Sequence, residues 1–578
     1  MLRDGIYISE NMKKLYVFVL LILPVTLLFT AALLRHAHGP YWLGYNSDPE
    51  YLYLISSLTL AESKQTGNPG HPGTTLQILG AATLKFSHAL VFSEKESLEF
   101  VVLKNPELYL TIINIILVTL NTILLFIVGL TAFILTKNIW FSLFLQFSPF
   151  LSNNIILDGL PRISPEPLLF FTCLLFLLIL MKMIFSKNLS KSAHWYMIAL
   201  ALVSGFGMAT KLTFVPLLII PLLVVPKLRN KIWFLFLTGL SFVFWIWPVI
   251  SQYETLLNWY YSILTHTGFY GNGNLGILRP PIYFNNIISL CVLNPLLFLI
   301  WFFSAGFILR FGCFSAGDDK AARKVVWQDT SFRMLAAVAT AQMLAVLIVA
   351  KHPASWYLAP VFSLSGFMLF LTFLYLQRID YFNNFNFKKV AFFIGIIFIF
   401  SGAWRIVEIR NMFMQKLQIK QESLAVYQKV ESDYKDYLKI SCLFHPTYGA
   451  SSSPANALAL GDFFVNEGRY SEQLRKIYGD SYFYNALDGT FYIWAEEFPI
   501  EKIILKGNGN RIVFHFLSLR EDGDKIICRS GLILHLRDVL GGQLETIYVL
   551  KGITLMREKQ FMPLSVVPFP MRTPSKMN

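Results

Sequence analysis

The stretch ELYLTIINIILVTLNTILLFIVGLTAFIL, residues 107 to 135, contains one charged side chain, Glu107, at its start. A membrane-spanning helix needs roughly 20 consecutive apolar residues, so this run is long enough to cross a bilayer. Of the 578 residues in the chain, 55% are hydrophobic and 15% are charged, and the mean hydropathy is +0.53. These values are too apolar for a water-soluble protein of this size, and we expect an integral membrane protein.

Runs of this kind predict about eleven spans and therefore an α-helical polytopic membrane protein. They are 15–34, 107–135, 139–157, 166–185, 194–210, 212–226, 232–250, 285–308, 334–350, 356–376 and 390–407. Lys13 and Lys14 precede the first run and place the N-terminus in the cytoplasm, and further Lys and Arg clusters fall in alternate loops. The first run is too long for a typical secretory signal, so we expect an uncleaved anchor.

The same alternation predicts two domains on either side of residue 407. Residues 1–407 form the transmembrane domain, with a first outer loop at 35–106, and residues 408–578 lie outside the cytoplasm as a mixed α/β domain. Strand-like runs in this tail are 502–505, 511–517, 526–536 and 545–550. Cys442 and Cys528 also lie there and could pair, although their spacing does not establish that they are close.

The formal net charge of +14 is a topology signal rather than a binding surface, because the basic residues fall mostly in short loops between apolar runs. No basic stretch is typical of a nucleic-acid site, so we expect no nucleic-acid partner. The sequence has no CxxC or HExxH motif, which makes a structural zinc site unexpected.

Two short polar motifs in the first outer loop together carry two carboxylates and a histidine. Asp48-Pro49-Glu50 follows the first span, and His71 lies further along the same loop. Pro49 favours an extended Asp48, and Pro49 and Glu50 suit the first turn of a helix. Asp48 could therefore be only a helix N-cap, although a cap would also hold its carboxylate at the edge of a membrane cavity.

These motifs resemble the GT-C superfamily of polyprenyl-phosphate-sugar-dependent glycosyltransferases, which includes protein O-mannosyltransferases and lipid A aminoarabinose transferases. Members carry an acidic motif in the first outer loop, here Asp48-Pro49-Glu50, and often a later His-Pro element, here His71-Pro72-Gly73. Further matches are Pro165-Glu166, Lys211 between two spans, and the run from Lys351 to Pro360. Gly73 stands where a second Pro is common, and the tail matches no familiar accessory domain. The resemblance implies a GT-C-like transmembrane domain that is catalytic at its outer face.

Sugar transfer from a polyprenyl phosphate needs a carboxylate that takes the acceptor's proton and cations where the leaving phosphate develops its charge. We assign Asp48 as the general base, with Glu50 and His71 as further catalytic residues. Glu166 and Tyr357 are expected in the same cavity. The candidate phosphate ligands are Arg162, Lys211, Arg279, Lys351 and His352.

Most of these cations also have a structural interpretation. A charge as close to hydrocarbon as Lys211 is costly unless paired or hydrated, and this lysine could simply snorkel to the interface. Arg162 and Glu166 could pair with each other, which we favour over direct catalysis by either. Lys351 and His352 could occupy a solvated turn.

The donor is expected to arrive through the membrane. The longest cytoplasmic loop, about 309–333, has no room for a nucleotide-binding domain and contains no glycine-rich phosphate loop. Arg279 could be an ordinary loop residue before Pro280. Asp48 and Glu50 could together hold a divalent ion, Mg²⁺ or Mn²⁺, because oxygen ligands suit these metals.

The sequence thus predicts an inverting glycosyltransferase in the inner, plasma membrane of a bacterium or its equivalent. Its partners would be membrane lipids, a polyprenyl-phosphate-linked sugar (or the diphosphate) and a glycan, lipid or protein acceptor. The alternative is a transporter or flippase of lipid-linked saccharides. Such a protein would place its charges near the bilayer midplane within broken helices, whereas these polar motifs fall in outer loops.

Overall fold

The structure of the protein is a computed structural model organised as two compact units. One unit comprises Met1–Ala37 and Tyr53–Lys416, and the other comprises His38–Leu52 and Leu417–Asn578. The residues that the structure describes are 10–43, 50–66, 70, 73–91, 96–152, 155–186, 189–225, 227–267, 271, 273–314, 325–378, 387–433, 438–443, 453–485, 490–494, 496–498 and 512–515.

Some of the sequence-based expectations concern residues outside the described ranges. They are the roles of Asp48 and His71, the pairing of Cys528 with Cys442, and the strands at 502–505, 526–536 and 545–550. These stay predictions.

Helices make up the first unit. Those lying in it wholly or in part are α1 (Glu10–His38), α2 (Glu50–Ala61), α3 (Thr74–Val91), α4 (Leu98–Lys104), α5 (Pro106–Thr136), α6 (Ile139–Gln146), α7 (Ser148–Leu151), α8 (Ile155–Gly159), α9 (Pro165–Ile184), α10 (Leu189–Thr210), α11 (Ile219–Val224), α12 (Leu228–Ile246), α13 (Tyr253–Thr265), α14 (Pro280–Leu293), α15 (Pro295–Leu309), α16 (Thr330–Val349), α17 (Ala359–Arg378) and α18 (Phe387–Asp433). Short 3₁₀ helices occupy Leu212–Leu218, Trp247–Gln252 and Ser355–Leu358.

Among the described residues, eight helical segments are long and apolar enough to cross a membrane. They are Lys14–His38, Pro106–Thr136, Pro165–Ile184, Ser192–Thr210, Leu228–Thr265, Pro295–Cys313, Thr330–Val349 and Ser355–Gln377. Each overlaps one of the expected spans. The prediction of an α-helical, multi-pass membrane protein is therefore confirmed, whereas the count of eleven is not.

The other three expected spans are 139–157, 212–226 and 390–407. Residues 139–157 form the short helices α6, α7 and α8 instead of one span. Residues 212–226 begin as a 3₁₀ helix that contains Pro216, which cannot donate a backbone hydrogen bond, and only α11 follows. Residues 390–407 belong to α18, which is not among the eight segments.

The break between α6 and α7 lies beside Pro149, which has no backbone N–H to donate, and beside a close approach of α17. The N–H of Gly366 on α17 donates to Oγ of Ser148 at 3.2 Å, and any side chain at Gly366 would collide with the carbonyl oxygen of Phe144. A backbone can approach this closely only where there is no Cβ. α17 is the most buried of the eight segments and packs against α6, α7, α9, α15 and α16.

The described part of the second unit contains a five-stranded sheet and two complete α-helices. It also contains the 3₁₀ helix Tyr41–Leu43 and the ends of helices that it shares with the first unit. The strands are β1 (Leu438–Leu443), β2 (Tyr482–Asn485), β3 (Thr490–Ile493), β4 (Glu496–Glu497) and β5 (Ile512–His515), and the helices are α19 (Pro454–Asn466) and α20 (Ser471–Tyr478). The strand order is β4-β3-β2-β1-β5. β1 is parallel to both of its neighbours, and the other pairs are antiparallel. The expected strand at 511–517 corresponds to β5.

A buried carboxylate, Asp462, closes the turn between α19 and α20. Its Oδ2 accepts hydrogen bonds from the N–H of Tyr470 at 2.8 Å and from Oγ of Ser471 at 3.4 Å. Burial disfavours the charged form. It raises the pKa of Asp462 to about 6, although these hydrogen bonds act in the opposite direction.

Candidate functional site

The first outer loop contributes one of its predicted catalytic residues to the described part of the chain. Glu50 is the first residue of α2, as expected from its acidic first-turn position, and its side chain is buried. The described residues contain no group of three or more His, Cys, Asp or Glu that could hold a metal ion. Because Asp48 is outside them, metal binding by Asp48 and Glu50 stays a prediction.

Two helix ends bring Glu166 and Lys211 together. Glu166 lies in the first turn of α9 behind Pro165, where a carboxylate interacts favourably with the helix dipole. Lys211 adopts an extended conformation between the end of α10 and the following 3₁₀ helix. Gly207 permits this sharp exit, because the ring of Phe214 folds back onto the position that a Cβ at residue 207 would occupy.

Lys211 is buried and already paired. Its Nζ donates to Oε1 of Glu166, and it lies 5.1 Å from the ring centroid of Tyr357. At that position a cation–π interaction adds to the ion pair. The side chain of Lys211 is 4% exposed and that of Glu166 is 15% exposed. The snorkelling interpretation is therefore wrong, and the favoured pairing of Glu166 with Arg162 is wrong too.

The N-terminus of α3 contacts the C-terminal end of α10, directly before Lys211. Oγ1 of Thr75 is 2.7 Å from Oγ1 of Thr210, and Oγ1 of Thr74 donates to the carbonyl of Ala209 at 3.4 Å. Together, five residues form what we call the Lys211 cluster: Glu166, Lys211, Tyr357, Thr75 and Thr210. The chain that follows the His71-Pro72 motif therefore leads directly into this cluster.

Gly73 explains why this sequence departs from the His-Pro-Pro pattern. Its φ is +67°, and a Cβ at this position would lie 2.8 Å from the carbonyl oxygen of Gly70. The proline ring fixes φ near about −65° and cannot adopt this conformation. A second proline would thus force a different entry into α3.

Arg162 lies four residues before Glu166, and part of its guanidinium group has no partner among the described residues. Its Nε and Nη2 atoms are buried and have no hydrogen-bond partner among the described residues. Its backbone is held in place, because its N–H donates to the carbonyl of Gly159 and its carbonyl accepts from the side chain of Asn114. Buried guanidinium groups are normally satisfied, so this one is suited to an anion.

Lys351 and His352 follow α16 and precede Tyr357 of the Lys211 cluster. Nζ of Lys351 donates to the carbonyl of Leu264 at 2.7 Å. Burial lowers the pKa of Lys351, and it also lowers the pKa of His352, with a second contribution from the charge of Lys351. The turn is thus partly buried rather than fully solvated. Both effects favour the neutral form of the His352 imidazole.

Arg279 does not join these residues in the described contacts. It directly precedes the first residue of α14 and is exposed, as a loop residue would be.

A further buried cation, Arg405 of α18, was not among the residues predicted from the sequence. Its Nε donates to the carbonyl of Phe150 at 2.9 Å, its Nη2 donates to the carbonyl of Leu151 at 3.4 Å, and Nη1 pairs with Glu408. It therefore satisfies the free carbonyls where α7 ends. The available signal was its position near the end of an apolar run, where an unpaired charge would be costly.

No protein-family model matches this sequence, and no curated protein is significantly similar to it. The functional assignment therefore depends on the motifs and on the residues of the site.

Proposed function

We propose that the protein is an inverting membrane glycosyltransferase of the GT-C type, which moves a sugar from a polyprenyl phosphate or diphosphate to an acceptor. The observation that carries the proposal is the convergence of Glu166, Lys211 and Tyr357 at one end of the apolar helices. Those residues belong to three of the motifs that resemble GT-C enzymes. The head group of a lipid-linked donor lies at the same level, where membrane helices end.

The reaction is a single displacement at the anomeric carbon. The acceptor hydroxyl forms the new bond to this carbon, the bond from the carbon to the phosphate oxygen breaks, and the hydroxyl proton passes to Asp48. The lipid phosphate leaves with the bonding electrons, and a fixed cation stabilises its growing charge.

Arg162 is the best-suited cation for that phosphate. Lys211 is already neutralised by Glu166, so a phosphate would have to compete with a carboxylate for its amine. Arg162 has two buried donor atoms with no partner among the described residues. A guanidinium can bind phosphate through two parallel hydrogen bonds. We assign Lys211 to holding Glu166 and Tyr357 in place, and Lys351 to a secondary contact.

The position of the charges also favours an enzyme over a transporter of lipid-linked saccharides. Transporters bind their substrates near the bilayer midplane at interrupted helices. The Lys211–Glu166 pair instead joins the residue that follows α10 to the first turn of α9, at the ends of two candidate spans. We place this end of the helices, together with residues 408–578, outside the cytoplasm of an inner, plasma membrane.

The direct test is to incubate purified protein in nanodiscs with a panel of polyprenyl-phosphate sugars and to follow release of the lipid phosphate. Asp48→Asn should reduce turnover by about 10² to 10⁴, as loss of a general base does. Near-normal turnover in that variant would leave Asp48 as a helix cap only. A lack of release from every donor, combined with movement of lipid-linked saccharides across proteoliposomes, would favour the transporter.

Donor affinity tests the phosphate ligand separately. Arg162→Met should weaken binding of the polyprenyl phosphate, and Arg229→Met, which removes an exposed arginine at the start of α12, is the matched control. Equal affinities of both variants and the parent would exclude Arg162. Glu50→Gln combined with a chelator tests the metal, since activity that survives chelation excludes an essential Mg²⁺ or Mn²⁺.

A further inference from the structure

The segment Leu228–Thr265 has 38 residues and is too long to be one membrane span. A straight α-helix of that length would extend roughly 57 Å, whereas the hydrocarbon core of a bilayer is about 30 Å thick. α12 alone has 19 residues. It would extend roughly 28 Å, which is sufficient to cross.

The chain breaks between α12 and α13. Val249 has non-helical φ and ψ angles of −114° and 26°, so the two helices do not share one axis. Because α12 is long enough by itself, α13 is not needed to cross the bilayer.

Both ends of α13 meet the ends of other helices. At its start, Tyr253 packs against a small cluster that includes Ile246 and Ala209, which lie at the ends of α12 and α10. At its other end, the carbonyl of Leu264 accepts a hydrogen bond from Lys351, two residues after α16 ends. If α13 extended away from the bundle, Leu264 would lie roughly 17 Å beyond that level. α13 therefore runs across the end of the bundle.

The exposure pattern of α13 divides the helix into three faces. Leu256 faces the protein and is buried. Leu257, Tyr261 and Leu264 are 65%, 62% and 66% exposed. They share one stripe, because residues at i, i+4 and i+7 lie on the same side of a helix. Asn258 is exposed on the adjoining polar stripe. A helix between protein, hydrocarbon and water requires this arrangement.

We propose that α13 lies in the membrane–water interface, with Leu257, Tyr261 and Leu264 inserted among lipids. The occupant is lipid rather than protein because α13 follows directly in the chain on α12, a candidate membrane span. The exposed side chains of α12 and of the residue after it include Phe244 and Trp247. That surface faces hydrocarbon in any helix that spans the bilayer. An aromatic residue such as Tyr261 is also typical of the membrane interface. This inference is independent of the proposed enzymatic activity.

Spin labels placed on the two stripes test the proposal in the full-length chain, reconstituted in nanodiscs, with its five cysteines replaced. Leu257→Cys and Tyr261→Cys report on the apolar stripe, and Asn258→Cys is the matched control. Collisions with oxygen, which concentrates in lipid, are compared with collisions with a water-soluble nickel chelate. We expect a higher oxygen-to-nickel ratio at 257 and 261 than at 258.

Each other outcome overturns the proposal. Equal ratios at all three positions would place the stripe in water. Exclusion of both reagents from 257 and 261 would mean that protein covers the stripe, either a second copy or another partner. All three side chains are exposed, so the labels remove no core contact, and Leu264→Cys provides a fourth site if one variant fails to fold.

Discussion

Lys211→Met should destabilise the protein because it removes the ammonium group that pairs with the buried Glu166 carboxylate. Removing one member of a buried ion pair typically costs about 3–5 kcal/mol. The dipole of α9 acts on Glu166 in the parent and in the variant alike, so it does not reduce the expected loss of about 3–5 kcal/mol. The side chain of Glu166 is only 15% exposed, so solvent screens little of this.

The double variant Lys211→Met, Glu166→Gln tests whether the contributions of Lys211 and Glu166 to stability depend on each other. With both charges removed, replacement of a buried pair by neutral groups is often close to neutral. We therefore expect the double variant to melt at a higher temperature than Lys211→Met alone, with a coupling of more than about 1 kcal/mol. The assay is thermal unfolding in nanodiscs at one fixed scan rate.

Lys64→Met is the control for this cycle. Nζ of Lys64 is 2.7 Å from Oε2 of Glu62, but the lysine is 46% exposed. Surface pairs of this kind contribute about 0–1 kcal/mol. Strictly additive losses in the double variant would refute the coupling of Lys211 to Glu166. A Lys211→Met protein that melts normally but binds donor weakly would return Lys211 to the role of phosphate ligand.

Substitutions at three further residues probe other sites. Arg405→Leu leaves the carbonyls at the end of α7 without a donor and should cost about 3 kcal/mol in thermal stability, with Arg405→Lys recovering only part of it, because lysine lacks the planar fork of donors. Asp462 has a folded pKa of about 6, raised from 3.8. The folded state thus holds its proton more tightly than the unfolded state, and stability is lost as the pH rises from about 4 to about 6. Asp462→Asn should flatten the dependence of stability on pH in unfolding scans across that range. If the dependence is unchanged, another group causes it. Lys351→Met should raise the pKa of His352, measured by histidine-selective NMR, because it removes the neighbouring positive charge. An unchanged value would leave burial as the sole cause.

The membrane spans that sequence analysis located correctly are those decided by local composition. The expected run 107–135 corresponds to α5 at Pro106–Thr136 because a long apolar stretch has few other stable states in a bilayer. Residues 139–157 include similarly apolar stretches, yet they form separate short helices. The breaks lie where Gly366 and Arg405 approach from helices distant in the sequence. Contacts of that range leave no periodic pattern in the sequence.

Three residues of the Lys211 cluster were predicted from the sequence, but the pairing of Glu166 with Lys211 was not. Glu166, Lys211 and Tyr357 were selected because they are polar groups at the ends of apolar runs. A better signal for the ion pair was available, because Glu166 and Lys211 lie about equally far along the chain from the connection between α9 and α10. In an antiparallel helix pair, such residues meet at the same end.

This pairing changes which residue is best suited to bind an anionic head group. A charge at the hydrocarbon edge is tolerated when it is paired. Lys211 meets that condition through Glu166 without any ligand. Arg162 meets it less completely, because two of its buried donor atoms have no partner among the described residues. Burying an unsatisfied donor costs about 1–3 kcal/mol, and a bound phosphate would remove this cost. An anion therefore gains more from Arg162 than from Lys211, and the donor affinity of Arg162→Met is the measurement that separates them.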